Sequence, residues 1–150
     1  MSYNSEADTG YGASFSYGDG ASPEAFTQVA EVEEIIPGGG STEVIKVTHL
    51  QSPGEHHEKL LALRDTGPFK IKGNLRLDHA SQDNATGLVF KWRTKWVGNW
   101  KLAVPTEVFP EDGWIFSGGV TNFTPGPISG NDKMAFEAEI TPTGDPYAEL

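Results

Sequence analysis

The chain has 150 residues, a formal net charge of −10, 18 glycines, 10 prolines and no cysteine. That length suits one domain over 1–150 with a single core covering about two thirds of the unfolded surface, and the lack of cysteine excludes disulfide scaffolds, thiol nucleophiles and thiolate zinc sites. No stretch approaches the roughly 20 apolar residues that a bilayer-spanning helix needs, and the acidic total argues against nucleic-acid binding as the main activity, which would rest on Lys and Arg.

Taken in chain order, residues 1–24 are rich in Gly, Ser, Tyr and Asp, with no basic residue and no continuous apolar run, so they do not read as a secretory signal. A flexible arm is expected over about 1–12. "AFTQVAEVEEII" then predicts a strand from Thr27 to Ile36, "PGGGS" a turn, and "EVIKV" over 43–47 its hairpin partner. "THLQSPGEHHEKLLALRDTG" has no useful period in its first half. It predicts a long inter-strand loop with at most a short helix over Glu58 to Arg64, and loops of that length are usually functional or disordered.

"PFKIKGNLRL" alternates cleanly, with Phe69, Ile71, Gly73, Leu75 and Leu77 on one face and Lys70, Lys72, Asn74 and Arg76 on the other. In "DHASQDNATGLVFKW" the period changes: Ala85, Leu88, Val89 and Trp92 recur at helical spacing, predicting one helix of about a dozen residues capped by Asp78 or Ser81. "NWKLAVP", "GWIFSGGVTNF" and "DKMAFEAEIT" predict three more strands, and residues 143–150 a C-terminal tail. The sum is a mainly β fold, an antiparallel β-sandwich or barrel with one flanking helix.

Residue patterns that carry catalytic chemistry are not assembled in this sequence. His49, His56, His57 and His79 lack the spacing of a metal site with Glu55 or Asp78. No Gly-x-Ser-x-Gly elbow occurs, and "PGGGST" lacks the lysine of a phosphate-binding loop. Glu31 with Glu33, or Glu137 with Glu139, resembles a glycosidase pair only in spacing and lacks the aromatic cleft of a sugar site. Trp92, Trp96, Trp100 and Trp114, beside Lys91, Arg93 and Lys95, are the best nucleic-acid signal, set in a chain whose acidity would repel that ligand. The expectation is no enzyme, no catalytic residue, no metal and no cofactor.

The order of motifs is more informative than any one of them. Val47, Thr48, His49, Leu50, Ser52 and Pro53 form a "V-T-H-L-x-S-P" stretch. Leu60, Leu61, Leu63, Asp65 and Gly67 follow, then the alternating strand, the helix, the aromatic "WIFSGGV" strand, and Asp132, Lys133, Phe136, Ile140, Thr143 and Gly144. Over residues 12–146 this order resembles the tail tube proteins of long, non-contractile-tailed (lambda-like, siphovirus) phages. The tryptophan-rich "FKWRTKWVGNW" and the longer N-terminus depart from the family pattern.

The resemblance implies a barrel-like sandwich, six copies of which close into a ring, with rings stacking head to tail into a hollow tube for DNA ejection. It implies a virion structural protein located in the viral tail, synthesised and assembled in the host cytoplasm. The implied partners are itself, a tail tip or initiator protein, a tape measure protein and a tail terminator; viral double-stranded DNA would pass without specific binding, and this chain would not insert into a membrane.

Head-to-tail stacking joins two different patches, which favours unlike charge on them. The sequence supplies it, because residues 67–103 hold 7 bases against 2 acids between two strongly acidic blocks. Lys70, Lys72 and Arg76 are therefore expected to pair with Glu31, Glu33, Glu137 or Glu139 across neighbouring strands or across a subunit boundary. Glu33, Glu34, Glu137 and Glu139 are expected to face an acidic lumen. Thr48, His49, Leu50, Ser52, Pro53, His56 and His57 are expected to form an inter-ring loop. The alternative reading is a virion decoration or adhesin-like β-sandwich binding module that does not polymerise.

Overall fold

The computed structural model describes residues 9–107, 109–110 and 113–149. Of the arm expected over 1–12 and the tail over 143–150, residues 1–8 and 150 lie outside that set.

The strands are β1 (Ser14–Gly18), β2 (Phe26–Gln28), β3 (Val32–Ile36), β4 (Gly40–Lys46), β5 (Lys59–Thr66), β6 (Phe69–Asn74), β7 (Val97–Ala103), β8 (Trp114–Pro125) and β9 (Ala135–Pro142), with one helix, α1 (Leu88–Arg93). Short 3-10 turns lie at Pro53–Glu55 and Pro146–Glu149. Seven strands form one antiparallel sheet in the order β2-β1-β7-β8-β9-β6-β3, while β4 and β5 pair only with each other. The fold is thus mainly β and antiparallel with one helix, as the alternating segments predict.

Phe69, Ile71 and Gly73 on β6, Trp100 and Leu102 on β7, Trp114, Phe116 and Val120 on β8, and Phe136, Ala138 and Ile140 on β9 point into the core. The sheet is strongly curled around these side chains. In a flat sheet, β6 and β8 would lie about 9.5 Å apart with β9 between them; instead the Phe69 and Phe116 rings stack with centroids 4.2 Å apart. Phe15 closes the other side, 5.5 Å from Trp100 and 6.2 Å from Phe116.

Three sequence expectations fail in the N-terminal half. The strand over Thr27 to Ile36 is broken into β2 and β3, with Glu31 in the left-handed region at φ 61. Residues 43–47 do not pair with it, because β3 pairs with β6 and β4 with β5. The reason lies in "PGGG": Gly38 packs so closely on Gly67 that a β-carbon would sit 1.9 Å from its carbonyl oxygen. The Gly67 N–H donates to the Gly39 carbonyl at 2.8 Å, which makes a narrow neck from which the chain runs out and back. The helix expected over Glu58 to Arg64 is instead strand β5, where pairing with Val44 and Ile45 overrides the helical preference of "KLLALR".

The dozen-residue helix shrinks to six residues. Side chains over 78–87 satisfy the backbone as turns, which competes with helix formation. The Asp83 carboxylate accepts from the N–H groups of Thr86, Ala85 and Gly87. Ser81 accepts from Ala30 N–H at 3.0 Å and so caps no helix, nor does Asp78, which pairs with Arg76. Buried Gln82 donates to the carbonyls of Ala30 and Asn74 and accepts from Arg76 N–H, tying the β2–β3 link, the end of β6 and the turn together. Because α1 starts late, Leu88 and Lys91 face inward, while Ala85 and Trp92 are exposed. Leu77, which the alternation puts on the same face as Phe69 and Ile71, is half exposed beyond the end of β6.

Phe69→Ala should lower stability by about 3–5 kcal/mol, because it removes the ring that meets both Trp114 and Phe116; denaturant unfolding measures this. The hydrogen bonds from Thr86, Ala85 and Gly87 hold the Asp83 carboxyl below its ordinary range. Its contribution is therefore fully present above the unfolded-state value of about 3.9 and lost as pH falls through the lower folded value. Asp83→Ala should accordingly destabilise the protein at pH 7 and flatten the acid limb of a stability–pH curve; an unchanged limb would contradict this.

Candidate functional site

The most conspicuous feature outside the core is the β4–β5 hairpin. Every residue of β4 is exposed, and in β5 only Ala62 and Thr66 are partly covered. It is nevertheless rich in aliphatic side chains: Val44, Ile45, Leu60, Leu61 at 76% exposure and Leu63 at 83%. Opposite partners across the ladder share a face, so Val44 with Leu61 and Ile45 with Leu60 put apolar groups on both faces. An isolated two-stranded hairpin is marginal in water, and contiguous exposed apolar surface marks an interaction site. Burying one such leucine stabilises by roughly 1.5–3 kcal/mol; nothing else in the described chain supplies that burial.

The connection between β4 and β5 is ordered by polar contacts. Glu58 N–H donates to Thr48 Oγ1 at 2.9 Å, and His57 Nδ1 lies 3.2 Å from the same hydroxyl. The Glu58 carboxylate accepts from Ser52 Oγ and stands 3.2 Å from His49 Nε2. Pro53 begins the short 3-10 turn, and His56 follows it in extended backbone. The expected inter-ring residues Thr48, His49, Leu50, Ser52, Pro53, His56 and His57 thus all lie at the free end of the hairpin.

A second surface is the sheet face opposite the core. Lys70 stands opposite Glu139, with Nζ 3.6 Å from Oε1, and Lys72 stands opposite Glu137 on one side and Glu34 on the other. The basic stripe of β6 is flanked within its own chain by carboxylates of β9 and β3. Glu33 lies at the irregularity in the β3–β6 ladder and pairs with Lys133. The Glu31 carboxylate accepts from Asn74 Nδ2 at 2.8 Å. Arg76 makes a two-pronged pair with Asp78, at 3.0 and 2.8 Å, which holds the Asp78 carboxyl below its usual range. One face therefore gathers Glu34, Glu137 and Glu139 together with Lys70 and Lys72. Roles divided between lumen and subunit boundary in the sequence fall on a single surface.

The four tryptophans do not make one platform. Trp100 and Trp114 are core residues, Trp96 is half-buried against Trp100, and Trp92 is exposed. Among the described residues no group of three or more His, Cys, Asp or Glu gathers to hold a metal ion. His79 is occupied by Ser81 at 2.8 Å. Sequence reasoning missed Val44, Ile45 and Leu60 as surface groups; the available signal was the aliphatic density of "VIKV" and "LLAL" on either side of a polar loop.

No family model matches the sequence, and no curated protein matches it either. Solved structures do share the fold. One is a chain of the tail of an empty gene transfer agent particle with C6 helical symmetry, at TM-score 0.66 and 19% identity, covering 93% of this chain and 96% of that one. Another is a chain of the virion of a native gene transfer agent particle, at TM-score 0.65, 19% identity and the same coverage. A third, from the six-fold symmetrised baseplate of an anti-feeding prophage, aligns at TM-score 0.57 and 9% identity over 96% of this chain and 95% of that one. The chain has the fold of components of phage-like tail particles.

Because Leu60 and Leu61 are exposed, replacing both with Ser should change monomer stability by no more than about 0.5 kcal/mol. A large loss in denaturant unfolding would mean that the leucines pack within the chain.

Proposed function

We propose that this chain is a structural, non-enzymatic tail tube subunit of a phage-like particle with a long non-contractile tail. Six copies close into a ring, and rings stack head to tail into a hollow tube. The observation that carries this reading is the shared fold, nearly end to end, with a chain of a six-fold symmetric helical tail. The hairpin supports it, since an element with apolar groups on both faces and no cover among the described residues suits a contact made only on assembly. The residues at its free end are the ones that meet the adjacent ring.

The face of β3, β6 and β9 is proposed to line the bore. Its carboxylates outnumber its ammonium groups three to two, counting Glu34, Glu137 and Glu139 against Lys70 and Lys72. DNA carries about one negative charge per 1.7 Å of axis. A basic wall would hold it by releasing counterions, whereas this wall, with its lysines already flanked by carboxylates, offers it no net attraction. A tip initiator, a tape measure protein, a terminator and passing double-stranded DNA complete the proposed set of partners, and the virion tail is the proposed location.

The test is negative-stain electron microscopy of the purified protein across a concentration series. Annular rings and hollow tubes that grow with concentration are the expected result. Monomers, or one closed oligomer at every concentration, would overturn the tube reading and favour a decoration module.

A further inference from the structure

A groove runs between the C-terminal end of α1 and the outer surface of β7, β8 and β9. Trp92, Trp96, Val97 and Thr121 wall it, and Arg93 and Lys95 stand at its rim. Among the described residues no carboxylate lines it, in a chain of net charge −10. Local structure explains the groove. Lys95 adopts φ 55, which lets the Trp96 N–H reach back to the Lys91 carbonyl at 3.1 Å and ends the helix. Trp96 then turns inward onto Trp100 at 5.8 Å, over Gly98, where a β-carbon would collide with the indole. Trp92 is left outside at 46% exposure, beside Val97 at 58%.

The hairpin tip carries acidic groups where this groove carries basic ones. Ser52 N–H donates to the His49 carbonyl, and His49 N–H donates to Ser52 Oγ, both at 3.0 Å; Gln51 N–H donates to His49 Nδ1 at 3.1 Å. This closed turn holds Leu50 at its apex, fully exposed. Residues 47–58 contain Glu55 and Glu58 but no lysine or arginine. The hairpin leaves the sheet between β3 and β6, and no hairpin residue lines the groove of its own chain. Two unlike patches on one molecule are what an open, head-to-tail series requires.

We propose that the groove beside α1 receives the hairpin tip of a second copy of this chain, with Leu50 seated between Trp92 and Val97 and Glu55 facing Arg93 and Lys95. The proposal rests on the tail tube reading for the presence of stacked copies, and it names a contact which that reading leaves open.

The chain is free of cysteine, so a cross-link reports cleanly. In a Leu50→Cys/Val97→Cys double variant, mild oxidation after assembly should give a ladder of covalent oligomers beyond the dimer on a non-reducing denaturing gel. Each single variant should stop at dimer or earlier. Trp92→Ala, at a half-exposed position, should keep the monomer's unfolding transition while raising the concentration needed for assembly at least about tenfold. A missing ladder in visibly assembled protein, or a Trp92→Ala assembly threshold equal to that of the wild type, overturns the groove assignment and leaves the tube reading standing. Wild-type protein that forms no ring or tube at any concentration overturns the tube reading and the groove proposal together.

Discussion

Phe69 and Phe116 stack at 4.2 Å although β9 runs between their strands, and the rest of the architecture follows from that contact. A sheet bent far enough to bring those rings together has one face with room only for apolar side chains and another spread open to solvent. The inner face fills with aromatic groups that meet edge to face or stacked, including Phe15, Trp100, Trp114 and Phe136. Charge is thereby forced onto the outer face, where the ladder sets which lysine meets which glutamate.

The same bend explains why the hairpin stands apart. β6 and β3 form one border of the curled sheet, and the chain between them must leave and return within a single strand spacing. Gly38 and Gly67 allow it, since neither has a side chain to hold the two crossings apart. The C-terminal turn braces this neck: Tyr147 donates its hydroxyl proton to the Gly38 carbonyl, and Trp114 Nε1 donates to the Pro146 carbonyl. The anchoring is confined to the base, so the aliphatic surface further out adds little to the stability of an isolated chain.

Much of the sheet was legible in the sequence, because alternation over Phe69–Asn74 and Ala135–Pro142 reports a half-buried strand directly. The hairpin was not, since a strand exposed on both faces has no reason to alternate; "KLLALR" reads locally as helix and becomes a strand only through its cross-strand partners. The helix was overestimated for a related reason. Ala85, Leu88, Val89 and Trp92 have the right spacing, but Ser81, Gln82 and Asp83 commit the preceding backbone to turns that a periodicity count does not register. Of the site, the basic stripe and its acidic flanks were visible as blocks of charge. That they would meet on one face depended on strand order, which no local pattern encodes.

The face carrying Lys70 and Lys72 amounts to a surface that brings its own counterions. Fixed charges of opposite sign sit on adjacent strands about 4.8 Å apart, closer together than the screening length of about 8 Å in physiological salt. Their fields largely cancel before reaching that distance. With three carboxylates to two ammonium groups, what extends further is one net negative charge per chain, a weak repulsion toward a polyanion that salt screens further.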